Sequence, residues 1–209
     1  WPVIYTIYDW KKLDLEEIEK RVSSETKLVF LCNPNNPTGK LLPAKRVLDF
    51  CETVSKKTIV FSDEAYYDYI TEPNYPSMVE LVKKGQNVVV SRTLSKVYGL
   101  AGIRLGYLIA KPDLASKLRD RVVANTSIMA IEAGKAALLD KEFYQFSLKK
   151  NEEAKSLLIQ TLNELKLPYL ESHANFVFFQ SGRDVAELGK TMAQKGFIVG
   201  RPFPPLNDW

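Results

Sequence analysis

The sequence predicts an α/β fold. A large layered domain with a mostly parallel sheet spans residues 1–140, and a linking helix with the start of a smaller α+β domain spans 141–209. Three observations carry this reading. Short apolar runs alternate with amphipathic helical stretches through the first half of the chain, the pattern of strands buried on both faces by crossover helices. Polar residues with chemical potential fall straight after the carboxyl ends of those runs, the edge where open α/β sheets collect ligands. From Pro112 onward the pattern turns mainly helical and closes on a β-α-β tail.

Element by element, the chain opens on the strand-like Trp1–Tyr5. Lys27–Cys32 is an apolar run ended by the turn-rich Asn33–Gly39, which reads as a buried strand. Val47, Leu48, Cys51 and Val54 recur at helical spacing behind Pro43. Thr58–Ser62, Asn87–Ser91 and Leu105–Ala110 are the next strands. Helices are expected over Leu114–Val122 and Ile128–Leu139. A long charged helix, about Lys141 to Leu165, keeps apolar residues at Phe143, Phe146, Leu157, Leu158, Leu162 and Leu165 and bridges the two domains. Ala174–Phe179 is expected as a strand, Val185–Lys195 as a helix and Phe197–Val199 as a strand. The missing initial methionine and the stop just after that last strand suggest a piece of a longer polypeptide, inactive by itself.

Composition narrows the function classes. The net charge of +4 comes from 29 basic and 25 acidic residues that are interspersed, without the basic block expected for nucleic-acid binding. No apolar run approaches a membrane span, and the start does not resemble a signal peptide. Cys32 and Cys51 are too few for a disulfide framework and fit no metal-ligand spacing. His173 is the sole histidine, which argues against a histidine-rich metal site or a Ser-His-Asp triad. A reducing cytoplasm fits best.

The chemistry concentrates around Lys96, in the run Arg92-Thr93-Leu94-Ser95-Lys96. An amine attacks an aldehyde only when deprotonated, a form that burial or a nearby cation such as Arg104 favours. A lysine taken at random is a solvated surface residue, so the surroundings must decide. Thr93 and Ser95 supply hydroxyls and Arg104 a planar forked cation, together a match for a phosphate monoester. Alone, that stretch is an ordinary polar loop. Asp63 follows a strand and suits a pyridine nitrogen; its bland alternative is a helix cap. Tyr66 offers a hydroxyl to the same ring, or simply packs with a wet tip. Asn36 offers an amide, or forms an Asx turn.

Order and combination single these residues out. Asn33-Pro34-Asn35-Asn36-Pro37-Thr38-Gly39, Asp63-Glu64-Ala65-Tyr66, the Lys96 run and Gly99-Leu100-Ala101-Gly102-Ile103-Arg104 resemble the fold-type I pyridoxal-phosphate enzymes. Within them the chain is similar to the class I/II aminotransferases, the histidinol-phosphate aminotransferases above all. Ala174-Asn175-Phe176-Val177 and the turn Gly196-Phe197-Ile198-Val199 add to the likeness. The resemblance implies a three-layer large domain, pyridoxal 5'-phosphate as cofactor, a small-molecule amino donor and keto acceptor, and a homodimer. It implies that Lys96 forms the Schiff base and shuttles a proton. Asp63 would pair with the pyridine nitrogen, Asn36 and Tyr66 with the ring oxygen, and Thr93, Ser95 and Arg104 with the phosphate. It also places an earlier glycine/serine loop before Trp1 and the substrate-carboxylate arginine after Trp209. Residues Asn125-Thr126-Ser127 depart from the Pro-Phe-Asn pattern frequent in the histidinol-phosphate enzymes, and Pro202-Phe203-Pro204-Pro205 resembles a divergent branch.

Two alternatives stay open at this level. The same lysine and acid serve a decarboxylase or a carbon–sulfur lyase, since substrate orientation decides which bond breaks. A non-enzymatic sensor domain of a transcription regulator uses the same cofactor as an effector.

Overall fold

The computed structural model describes residues 13–122 and 125–209; the strand-like start at Trp1–Tyr5 lies outside them. Strands β1 (Leu28–Cys32), β2 (Ile59–Asp63), β3 (Val88–Thr93) and β4 (Gly106–Ala110) form a single sheet in that order. The first three are parallel and β4 runs antiparallel to β3, so the expected mostly parallel sheet is present. Register aligns Cys32 with Asp63, Asp63 with Ser91 and Ser91 with Leu108. Four side chains therefore share one row, and three of them come from the carboxyl ends of parallel strands.

The helices are α1 (Leu15–Arg21), α2 (Ala44–Val54), α3 (Val79–Lys83), α4 (Pro112–Arg119), α5 (Ile128–Leu139), α6 (Lys141–Glu164) and α7 (Val185–Gln194). Local chemistry sets their ends. Asp14 accepts from the Glu16 and Glu17 amides, Asp140 from Phe143 N, and Asp184 from Ala186 N and Glu187 N, so each caps donors that have no partner inside the helix. Pro43 starts α2, where its restricted φ suits the turn into a helix.

The main core forms on one face of the sheet. Val29, Leu31, Val60, Val88 and Val90 pack with Val47, Phe50, Cys51 and Val54 of α2 and with Met78 and Leu81 around α3. A second cluster gathers Tyr66, Tyr69, Val97 and Ala174, with Tyr98, Tyr144, Leu148 and Phe176 against them. It ties the segments after β2 and β3 to α6 and to the 172–176 segment. Tyr144 Oη also donates to Asp68 Oδ1 at 3.0 Å.

Several expectations need correction. The strands are not buried on both faces among the described residues: Leu28 is 50% exposed, Phe30 56% and Leu108 49%. Phe30 and Phe61 stack on that open face with centroids 5.2 Å apart. Ala174–Phe179 is not a strand. Only the bridge between Tyr169 and Phe179 forms, and the Ser172 hydroxyl instead turns the chain by donating to Phe176 O at 2.5 Å. Phe197–Val199 forms no strand either, and Ile198 is 96% exposed. Strand propensity is insufficient where no neighbouring backbone completes the ladder. Helix α4 ends at Arg119, short of the expected Val122.

Candidate active site

Asp63 stands at the carboxyl end of β2. Its Oδ1 accepts from Ser91 Oγ at 2.9 Å and from Ala65 N at 3.1 Å. The second bond closes a local turn; the helix cap expected as the bland alternative does not form, since the following short helix begins at Tyr67 behind Tyr66. The turn occupies one oxygen only, and Oδ2 receives no hydrogen bond among the described residues.

Three residues onward, the buried Tyr66 brings separate segments together. Asn36 Nδ2 donates to its hydroxyl at 2.9 Å. Lys96 Nζ lies 5.1 Å from the centroid of its ring, a cation facing an aromatic surface. The Phe176 ring meets it edge-on at 5.3 Å and 87°. Asn36, Tyr66 and Lys96, distant in sequence, are thus neighbours in space.

The loop that presents Asn36 is held from below. Asn33 Nδ2 donates to Tyr75 Oη at 2.7 Å, Tyr75 Oη donates to Leu42 O at 2.7 Å, and Leu42 N donates back to Asn33 Oδ1 at 2.9 Å. The peptides Asn33–Pro34 and Asn36–Pro37 are cis. Gly39 closes the loop at φ +72° while His173 N donates to its carbonyl at 2.8 Å. A Cβ there would run into Ser172 Oγ and come within 2.8 Å of Ser172 Cβ. Gly39→Ala therefore combines a left-handed backbone with a clash, and urea unfolding should show a loss of about 1–3 kcal/mol.

The Lys96 loop folds on itself. Thr93 Oγ1 accepts from Ser95 N at 3.1 Å and contacts Leu105 O at 3.5 Å, and Leu94 N donates to Leu105 O at 3.1 Å. Gly99 has φ +69°, and a Cβ on it would sit 3.3 Å from Phe143 Cζ of α6. Arg104 is exposed at φ 59°, with Nη1 donating to Ala101 O at 2.9 Å. A guanidinium has five N–H donors, so that single bond leaves most of its capacity available. Arg104 is thus the expected site residue that the structure ties least to the others.

Beneath the site lies a buried ion pair. Arg92 donates to Glu64 Oε2 through Nε at 3.0 Å and Nη2 at 2.6 Å. Ser77 Oγ donates to the same oxygen at 2.8 Å, and Met78 N to Oε1 at 2.7 Å. The guanidinium also lies 4.1 Å over the Tyr67 ring. This network fastens the Asp63–Tyr66 segment to β3, one turn of loop before Lys96.

Cys32, in register beside Asp63, is half-buried and donates to Pro34 O at 3.4 Å. Burial pushes its thiol up to about 11; a backbone hydrogen bond from Asn36 opposes that, and the Asp63 charge adds to it. Cys51, fully buried, is pushed up to about 12 by burial and then by Glu64. Because the thiolate is the reactive form, both should label with iodoacetamide far more slowly at pH 8 than a free thiol. Unfolding in urea should restore the ordinary rate.

Reasoning from sequence did not assign roles to Ser91, Phe176 or the Glu64–Arg92 pair. Phe176, Glu64 and Arg92 lie inside motifs and Ser91 ends an expected strand, so each position carried a signal. Its partner depends on register or on long-range packing, which motif spacing does not encode.

The sequence profile for class I and II aminotransferases matches residues 2–206. The chain belongs to the class I and II aminotransferases. Its motif order and the convergence of Asn36, Tyr66 and Lys96 accord with that family. A histidinol-phosphate aminotransferase of Caldicellulosiruptor saccharolyticus is 36% identical over 187 residues, covering 89% of this chain and 52% of that protein. Histidinol-phosphate aminotransferase 1 of Bacillus anthracis is 39% identical, over 89% of this chain and 50% of its own length. Among solved structures, the histidinol-phosphate aminotransferase of Sinorhizobium meliloti in complex with pyridoxal-5'-phosphate aligns with a TM-score of 0.84 and 28% identity. That alignment covers 98% of this chain and 57% of the other. The chain spans about half the length of the curated relatives it matches.

Proposed function

We propose that this chain is the lysine-bearing part of a pyridoxal 5'-phosphate-dependent aminotransferase of the histidinol-phosphate type. It would move an amino group between an amino acid and a 2-oxo acid or phosphorylated ketone in histidine biosynthesis, acting as a cytoplasmic homodimer. Residues 1–140 would belong to the cofactor-binding domain, and 141–209 would supply the linking helix and part of the small domain. The relatives' names support the subfamily, and the cofactor in the Sinorhizobium meliloti structure supports the choice of ligand. Among the described residues no helix is long and apolar enough to cross a membrane.

One observation carries the reading: Lys96 Nζ stands over the Tyr66 ring, whose hydroxyl is bonded to Asn36. The donor set fits the cofactor. Asp63 offers Oδ2 while Oδ1 is held in place, which suits a protonated ring nitrogen. The Asn36–Tyr66 pair offers an amide and a hydroxyl to a ring oxygen. Thr93, Ser95 and Arg104 offer hydroxyls and a fork of N–H groups to a phosphate. Bound there, the cofactor supplies the electron sink that stabilises a carbanion at the substrate's α carbon.

The chain's own residues then have separable tasks. Lys96 anchors the cofactor through Nζ and, once displaced, carries a proton to and from the reacting carbon. Asp63 keeps a positive ring nitrogen charged. Tyr66 and Asn36 orient the ring through its oxygen.

Borohydride reduction of the pyridoxal-phosphate-loaded protein, followed by peptide mapping, tests the assignment. The label is expected on the peptide containing Lys96. A label on another residue, or none, rejects the site. Formation of pyridoxamine phosphate with an amino donor separates transamination from decarboxylation or elimination, which leave the cofactor as the aldehyde.

A further inference from the structure

We propose that Ser91 is a positioning residue that sets the working orientation of the Asp63 carboxylate. The inference rests on the proposed aminotransferase reading and extends it to a residue with no assigned role.

Parallel pairing of β2 and β3 places Ser91 directly opposite Asp63. Its hydroxyl donates to Asp63 Oδ1 at 2.9 Å, its one hydrogen bond among the described residues. The backbone fixes the same register from the other direction, with Glu64 N donating to Ser91 O at 3.1 Å. Ala65 N is the second donor to Oδ1, at 3.1 Å. Two donors from different segments on one oxygen restrict rotation about the Cβ–Cγ bond. Ala65 alone belongs to the same turn as Asp63 and moves with it. Ser91 belongs to the neighbouring strand and refers the carboxylate to the rigid sheet. The consequence is directional, since holding Oδ1 leaves Oδ2 as the oxygen presented to a ring nitrogen.

A hydroxyl that merely satisfies local polarity predicts a different outcome from one that orients a charge. The test compares Ser91→Ala, Ser91→Thr and Ser91→Cys in the cofactor-loaded whole enzyme. Borohydride mapping, thermal unfolding, the pH dependence of the cofactor's visible absorbance, and kcat with KM are measured for each. Ser91→Ala should still label at Lys96 and unfold within a few degrees of the parent. Its kcat should fall about ten- to a hundredfold, the effect of losing a hydrogen bond to a charged group, with KM changed less than about twofold. Its absorbance midpoint should shift along the pH axis. Ser91→Thr keeps the hydroxyl on a strand-compatible side chain and should restore kcat to within about twofold. Ser91→Cys keeps the volume with a weaker donor and should resemble the alanine variant, which reads out the effect even if alanine impairs folding.

The inference is overturned if the alanine and cysteine variants match the parent in kcat and absorbance midpoint, or if threonine fails as they do. An unsubstituted protein without a Lys96 label instead overturns the functional reading on which the inference stands. The two failures are distinct because the label is scored before any variant is compared.

Discussion

Lys96→Ala should abolish amino-group transfer by the cofactor-loaded whole enzyme while leaving the fold intact. The proposed function gives Nζ both covalent attachment and proton transfer. Loss of a positioned acid–base group alone removes about 10²–10⁴-fold in rate, and loss of attachment adds to that. Turnover should therefore fall at least about 10⁴-fold. Stability should change little, because the Lys96 side chain is partly exposed and, among the described residues, forms no hydrogen bond or ion pair, standing instead over the Tyr66 ring. Lys96→Arg preserves the charge over that ring but not a nucleophilic amine, so it should be equally inactive. Steady-state turnover with unfolding curves for both variants decides the matter. Activity within tenfold of the parent in either would remove Lys96 from the chemistry.

The largest stability effect is expected at Glu64. Its side chain is 3% exposed and that of Arg92 16%, so both charges lie away from water. Glu64→Ala leaves the guanidinium without its carboxylate and Met78 N without its acceptor. Removing one member of such a buried pair costs about 3–5 kcal/mol, a large part of a typical domain's stability. Glu64→Gln keeps an acceptor for Met78 N and should lose less, about 1.5–3 kcal/mol. The double variant Glu64→Met/Arg92→Met removes both charges together and should recover much of the alanine loss, because no uncompensated ion remains. Urea unfolding of these three variants, with the single Glu64→Met and Arg92→Met changes, is the measurement. An additive double variant would show that the two residues are not energetically coupled.

Much of the architecture was legible because it is locally encoded. Helix α5 lies over Ile128–Leu139 as expected, and α6 ends at Glu164, beside the anticipated Leu165. The sheet strands lie within two residues of the apolar runs that announced them. Helices α1 and α3 were missed. Helix α1 carried a usable signal in Asp14 followed by Glu16 and Glu17, whereas α3 is a single short turn that packing sustains. The strands expected at Ala174–Phe179 and Phe197–Val199 failed because strand formation needs a pairing partner that no local pattern supplies.

Sequence alone settled which chemical groups this protein has and in what order: an amide loop, an acid and a tyrosine after one strand, and a lysine after the next. Such groups follow strand ends, and strand ends are marked by nearby turn residues. Tertiary structure decided the companions: Ser91 for Asp63, Phe176 for Tyr66 and Arg92 for Glu64. Those pairings arise from register between strands and from packing across long chain separations, where distance in space is independent of distance along the chain.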